Sequence, residues 1–198
     1  MYDNTTLRIL GQIYIDENKG IHKREIARKL KLTMPSVDNS LKKIDSIIKK
    51  QKSGNQIKFY LDYSKEALTP SISDVEYLRL EKLPAKIRLA VKNFLQELKE
   101  KPIIAVIFGS YARGDYTLNS DIDILLVFQK STDSKEIENT AKKISMNTNT
   151  KIAPVYVDYM QFKESFHDNT KEFFRNLKNE KIILIGMEWW RQLKHEEA

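Results

Sequence analysis

The run Ile103-Ile104-Ala105-Val106-Ile107-Phe108 constrains this chain most, because it is continuously apolar and bounded by Pro102 and Gly109. That pattern predicts a buried strand that stops at a turn. Ser110 opens the turn, and unpaired backbone N–H groups there, with the serine hydroxyl and Arg113, suit phosphate oxygens. A second run, Ile122 to Phe128, carries Asp121 and Asp123 at its start. Side chains two apart on a strand point the same way, so both carboxylates can meet one divalent cation. Two acids held side by side repel one another, a cost that a cation removes and water only screens. A bare Asp-x-Asp is more often an ordinary solvated turn; the Gly-Ser turn before it tips the balance to a metal-dependent phosphoryl-transfer site.

The segment Gly109-Ser110-Tyr111-Ala112-Arg113-Gly114, followed after a fixed interval by Ser120-Asp121-Ile122-Asp123, resembles the signature of the DNA polymerase β-type nucleotidyltransferase superfamily, especially its minimal members. The resemblance covers about residues 85–198. It implies phosphate and nucleotide binding by Gly109, Ser110, Arg113 and Ser120, with Asp121 and Asp123 as catalytic ligands of magnesium or another divalent cation. An NTP, with ATP the first candidate, is the implied substrate, and its NMP passes to a hydroxyl acceptor that nothing identifies. The family pattern usually adds a third carboxylate on a neighbouring strand. Lys151 to Asp158 is the plausible strand, and the expected acidic position falls near Val155, which is apolar. Asp158 is three residues away and, by alternation, on the opposite face. The alternative is therefore a nucleotide-sensing or partner-binding regulator with a weakly active or inactive domain, and the resemblance also raises an antitoxin-like role beside a HEPN-type toxin. A homodimer is a further candidate assembly.

The other end of the chain carries a different chemistry. Residues 1–65 hold fourteen Lys and Arg against seven acids, an excess equal to the +7 of the whole chain, so the remainder is balanced. Such asymmetry points to a polyanion partner. Thr5 or Thr6 can cap a helix through Leu7, Leu10 and Ile13; His22 to Leu30 reads as a second helix; Thr33 can cap a third, with Pro35 in its first turn. Val37, Leu41, Ile44 and Ile48 then face inward, and Ser36, Asn39, Ser40 and Lys43 outward. Ile47 to Gln51 and Gln56 to Asp62 read as strands joined by Lys52-Ser53-Gly54-Asn55. Three helices and a basic hairpin resemble a winged helix-turn-helix over about residues 3–63. The resemblance implies duplex DNA as partner, with Ser36, Asn39, Ser40 and Lys43 in the major groove and Lys50, Lys52 and Asn55 on the backbone. The bland reading is a helical cap kept soluble by its lysines.

The expected class is thus α+β: a winged helix-turn-helix domain (1–65), a connector (66–84) whose Pro70, Ser71 and Ser73 suggest turns, and a nucleotidyltransferase-like mixed sheet flanked by helices (85–198). Pro84 is expected to start a helix with Ile87, Leu89, Ala90, Phe94, Leu95 and Leu98 on its apolar face. Ile137 to Ile144 and Phe162 to Lys178 read as helices, Asn147 to Thr150 as a loop, and Ile182 to Ile185 as a last strand. The 198 residues suffice for two small domains. No apolar run reaches membrane-spanning length and no signal-peptide pattern opens the chain, so no membrane partner and a cytoplasmic location are expected. Zero cysteines exclude disulfides and thiolate sites, and His22, His167 and His195 are too scattered to suggest zinc. The Trp189-Trp190 pair reads as a packing element or partner-binding face.

Overall fold

The computed structural model describes residues 2–168 and 170–197. The chain divides into two compact units, one reaching Val75 and taking in Lys194–Glu196, the other running Glu76–Leu193 with Glu197. Among the described residues no helix is long and apolar enough to cross a membrane.

In the first unit, α1 (Asn4–Ile15) leads through β1 (Ile21–His22) to α2 (Lys23–Leu30) and α3 (Met34–Lys43). A short 3-10 turn precedes the hairpin of β2 (Ile48–Ser53) and β3 (Gln56–Leu61). The three strands form one antiparallel sheet in the order β1-β3-β2. Ser53 pairs with Gln56, so the hairpin turn is Gly54-Asn55, with Gly54 at φ 59°, a conformation glycine takes at no steric cost. The cap of α1 is Asp3, not Thr5 or Thr6: its carboxylate accepts the Thr6 N–H at 2.9 Å, while Thr6 is buried inside the helix. Thr33 caps α3 as its position predicts. Ile9, Ile13, Ile26, Val37 and Ile44 are fully buried. At about 1.5–3 kcal/mol each, such side chains outweigh the caps, worth about 1 kcal/mol, in holding the helices together.

The segment expected to be a turn-rich connector is largely helical: α4 spans Leu68–Glu81. Pro70 sits in its first turn, where a missing N–H costs nothing. The Ser71 and Ser73 hydroxyls bond back to the carbonyls of Ala67 and Thr69, at 3.0 and 2.9 Å, so they are absorbed by the helix.

The second unit is built on a four-stranded sheet. After α5 (Ala85–Glu97) come β4 (Ile104–Phe108), the short α6 (Gly109–Arg113), β5 (Ile122–Phe128), α7 (Ser134–Thr148), β6 (Ile152–Asp158), α8 (Tyr159–His167), α9 (Glu172–Asn179), β7 (Ile182–Ile185) and α10 (Met187–Glu197). The order is β6-β5-β4-β7, with β5 and β6 parallel and the other pairs antiparallel, a mixed sheet in an α+β fold. One sheet face, including Ile107, Ile124, Leu126 and Phe128, packs on Ile87, Ala90 and Phe94 of α5 and Ile137, Ala141 and Ile144 of α7. Leu89, expected on the buried side of α5, is instead 55% exposed.

Two helix boundaries differ from expectation. Asp133 caps α7 by accepting the Lys135 N–H, and the helix runs on to Thr148 before Asn149 turns it off in the left-handed region. The expected helix over 162–178 is two, because Asp168 captures the N–H and hydroxyl of Thr170 at 3.0 and 2.6 Å, and this local bonding competes with the helix. Trp190 is fully buried, its ring 5.1 Å from that of Phe166, so it is a packing element.

Candidate active site

The carboxylate pair sits where β4 ends and β5 begins. Register pairs Phe108 with Asp123, and paired residues project to one face, so the aromatic ring flanks the carboxylate. Phe108 in turn meets Phe173 of α9 edge-on at 5.3 Å. Gly109 takes φ 67°, and a Cβ built on it would lie 2.3 Å from Asp123 Oδ2. The carboxylate therefore occupies the space that any side chain at 109 would need. Ser110 lies in the first turn of α6, so the Gly-Ser turn opens a short helix rather than a loop. Burial, and secondarily the charge of Asp121, pushes the Asp123 carboxyl upward; Arg113 and Lys151 oppose this.

Asp121 precedes β5 and is ion-paired to Lys151, the residue before β6. The Ile122 N–H donates to the Lys151 carbonyl at 2.8 Å, tying the two strand entrances together. The bond from its side chain to Asp121 raises the Lys151 ammonium above its ordinary range. Arg113 is engaged by Asp115 at 3.0 Å and Glu180 at 3.5 Å, and Asp115 chiefly raises it. Ser120 accepts the Thr117 N–H at 2.8 Å and locks the turn leading to Asp121.

A cleft of about 1030 Å³ opens beside Asp121, Ser120 and Lys151, at the upper limit of the size range of ligand sites. Its walls include Tyr111 and Tyr116, stacked 4.6 Å apart. Burial first, then Tyr116 and Asp121, raises the Tyr111 phenol.

The parallel register sets Ala153 across from Asp123 and Val155 across from Leu125. Thus the strand position beside the pair is Ala153, two residues before Val155 on the same face, and it too is apolar. Asp158 pairs with Phe128 at the far end of β6 and caps α8 by accepting the Gln161 N–H at 3.0 Å. Among the described residues no group of three or more His, Cys, Asp and Glu is placed to hold a metal. Two carboxylates nonetheless fit magnesium, which is commonly bound through one or two carboxylates plus substrate phosphates.

In the first unit, Asn39 and Lys43 are exposed on α3 and Ser36 is half-buried, but Ser40 is not outward. It is 4% exposed and its hydroxyl accepts from Thr6 at 3.2 Å, because it falls on the inward stripe with Val37 and Leu41. Ser40 is thereby removed from the set of groups that can reach a partner. Lys43 pairs with Asp3 at 2.5 Å, which holds the Asp3 carboxyl well below the usual range, and Lys50 pairs with Asp45 at 2.5 Å. Lys52 and Asn55 are exposed at the hairpin tip.

Lys151 is the residue that sequence reasoning passes over. Its importance comes from the β5–β6 register, which no local pattern encodes.

A family model for the nucleotidyltransferase domain matches residues 90–187, a span holding the Gly-Ser turn and both aspartates. A provisionally named protein adenylyltransferase of Methanocaldococcus jannaschii is 34% identical over 90 residues, covering 42% of this chain and 90% of that protein. A second such protein of the same organism is 55% identical over 42 residues, covering 19% of this chain and 42% of its own length. Among solved structures, a chain of the toxin–antitoxin complex MntA–HpeT aligns with a TM-score of 0.41 and 18% identity, covering 58% of this chain and 83% of that one. With the family match containing the strand–turn–strand element and most of a relative's length matched at 34% identity, this chain belongs to the nucleotidyltransferase domain family.

Proposed function

We propose that this chain is a divalent-cation-dependent nucleotidyltransferase that moves AMP from ATP to a hydroxyl of a protein, and that residues 1–65 are a winged helix-turn-helix bound to duplex DNA. The observation that carries the transferase reading is Asp123 seated against Gly109, which supports reading that carboxylate as a metal ligand beside a phosphate-binding turn. Protein as acceptor and ATP as donor are supported by the name of the 34% identical relative. Asp121 and Asp123 would hold the magnesium ion, which would supply charge neutralisation for the triphosphate and the pyrophosphate.

The chain's own groups do the rest. Gly109 and Ser110 hold phosphate oxygens at the turn, Arg113 and Ser120 complete the nucleotide's surroundings, and the fixed geometry sets the α-phosphate against the acceptor. The acceptor oxygen bonds to the α-phosphorus, the bridging α–β P–O bond breaks, and pyrophosphate leaves with its electron pair while the hydroxyl proton passes to solvent.

DNA binding is supported by the charge excess of residues 1–65 and by the element order; in this reading α3 reads bases and the β2–β3 hairpin touches phosphates. Lys43 and Lys50 are neutralised by Asp3 and Asp45, but exposed pairs of this kind contribute little and are screened by salt, so phosphates can replace the acids.

A second reading, a DNA-binding regulator that senses nucleotide without efficient turnover, is favoured by the apolar Ala153 across from Asp123, with the equally apolar Val155 two residues on. Incubation with each α-labelled NTP and magnesium, with this chain, a HEPN-type toxin, nucleic acid and small hydroxylated compounds as acceptors, separates them. The transferase reading expects AMP on protein; magnesium-dependent ATP binding without any label transfer would establish the regulator instead.

A further inference from the structure

Lys151 stands out among the groups that the proposed reaction leaves unused. Its carbonyl is fixed by the Ile122 N–H, yet its side chain is 71% exposed, so the ammonium can swing about an anchored backbone at little cost. It is paired with Asp121, and both residues line the cleft. A divalent cation arriving at Asp121 competes with Lys151 for that carboxylate, and its charge repels the ammonium. The released ammonium is then left beside a polyphosphate, to which a point charge with three donors is well suited.

We propose that Lys151 is a positioning residue that holds Asp121 in the free protein and moves to an oxygen of the nucleotide's triphosphate when a divalent cation takes Asp121. This rests on the reading of Asp121 and Asp123 as the metal-binding pair. It makes Lys151 a competitor of the cation before nucleotide binds and a partner of the nucleotide afterwards, so its removal has effects of opposite sign on two affinities.

The test uses full-length Lys151→Met and Lys151→Arg, with Mn2+ binding followed by electron paramagnetic resonance without nucleotide, and ATP binding by calorimetry at saturating Mn2+. Lys151→Met is expected to bind Mn2+ about two- to fivefold more tightly, the scale of an exposed ion pair. It is expected to bind ATP about tenfold more weakly, the scale of one charge-assisted hydrogen bond, with Lys151→Arg restoring most of it. If either arm is missing, Mn2+ affinity unchanged or lower, or ATP affinity unchanged, the assignment of Lys151 falls. Asp121→Asn with Asp123→Asn, measured in parallel, keeps the two claims apart. Wild-type Mn2+ binding by that variant would overturn the metal reading itself, whereas its loss alongside a silent Lys151→Met would overturn only the lysine's role.

Discussion

The acids of the second unit and the lysines of the first are held in contrasting ways. Asp123 is fixed by its register with Phe108 and by a glycine whose missing side chain it replaces, so neighbouring backbone dictates both residues. Lys23, Lys43 and Lys50 reach Asp38, Asp3 and Asp45 through long stems on exposed surface, and any nearby cation would serve as well. A site built on backbone constraint announces itself by residue type and spacing, whereas a charged face announces only its sign. The chemistry of the second unit is therefore sharper than that of the first.

The contrast breaks most visibly at Gly109. Gly109→Ala adds about 1–2 kcal/mol of left-handed backbone strain and drives a methyl into Asp123 Oδ2. Nucleotide affinity should fall by about two orders of magnitude, with a lower melting temperature, in a thermal shift assay run with and without magnesium-ATP. A variant that binds ATP as wild type would show that the close approach of turn and carboxylate is incidental.

In the first unit single substitutions should act more gently. Lys43→Ala with Lys52→Ala should flatten the dependence of log DNA affinity on log salt by about one unit for each phosphate left without its lysine. Asn39→Ala should weaken DNA binding at unchanged stability, while Ser40→Ala, which removes the buried bond with Thr6, should lower stability and leave DNA affinity alone. Fluorescence anisotropy on duplex DNA across a salt series, with thermal melts of each variant, reads these effects; equal effects of Asn39 and Ser40 would contradict the inward phase of Ser40.

Asp158 supplies a control within the second unit. Asp158→Ala should cost about 1 kcal/mol, as for the removal of a helix cap, and leave ATP affinity unchanged. Loss of label transfer in this variant would place Asp158 in the chemistry after all.

The smallest effect expected is that of pH on Asp123. An acid whose carboxyl is raised in the folded state penalises folding once ionised, so the penalty appears as pH rises above about 3.9, the unfolded value, and is complete above the folded one. Asp123→Asn in metal-free buffer should melt about a degree or two higher than wild type at pH 7 and equally at pH 3. A lower melting point at pH 7 would mean that the carboxylate is stabilised where it sits.

Much of this arrangement is legible locally. Continuous apolar runs mark β4 and β5, and a glycine followed by serine marks the turn between strand and helix. What escapes sequence reading depends on competition or on distance. Ser71 and Ser73 look like turn formers until their hydroxyls find the carbonyls one turn back. Asp168 splits α8 from α9 through a bond to Thr170 that is a side-chain choice, invisible in the hydrophobic period. Ser40 shares the inward stripe of α3 with Val37 and Leu41, and its polar side chain hides that phase from a reading by hydrophobic pattern. The residue facing Asp123 on β6 and the Lys151–Asp121 pair both require the pairing of strands separated by a whole helix.

The central claim, that the Gly-Ser turn and the two aspartates form one nucleotide site, is tested most directly by calorimetric titration of ATP into the wild type and into Asp121→Asn with Asp123→Asn, each with magnesium and with a chelator. The wild type is expected to bind only when magnesium is present, and the variant not at all, at a nearly unchanged melting temperature. Binding of ATP by the folded variant with wild-type affinity would contradict it.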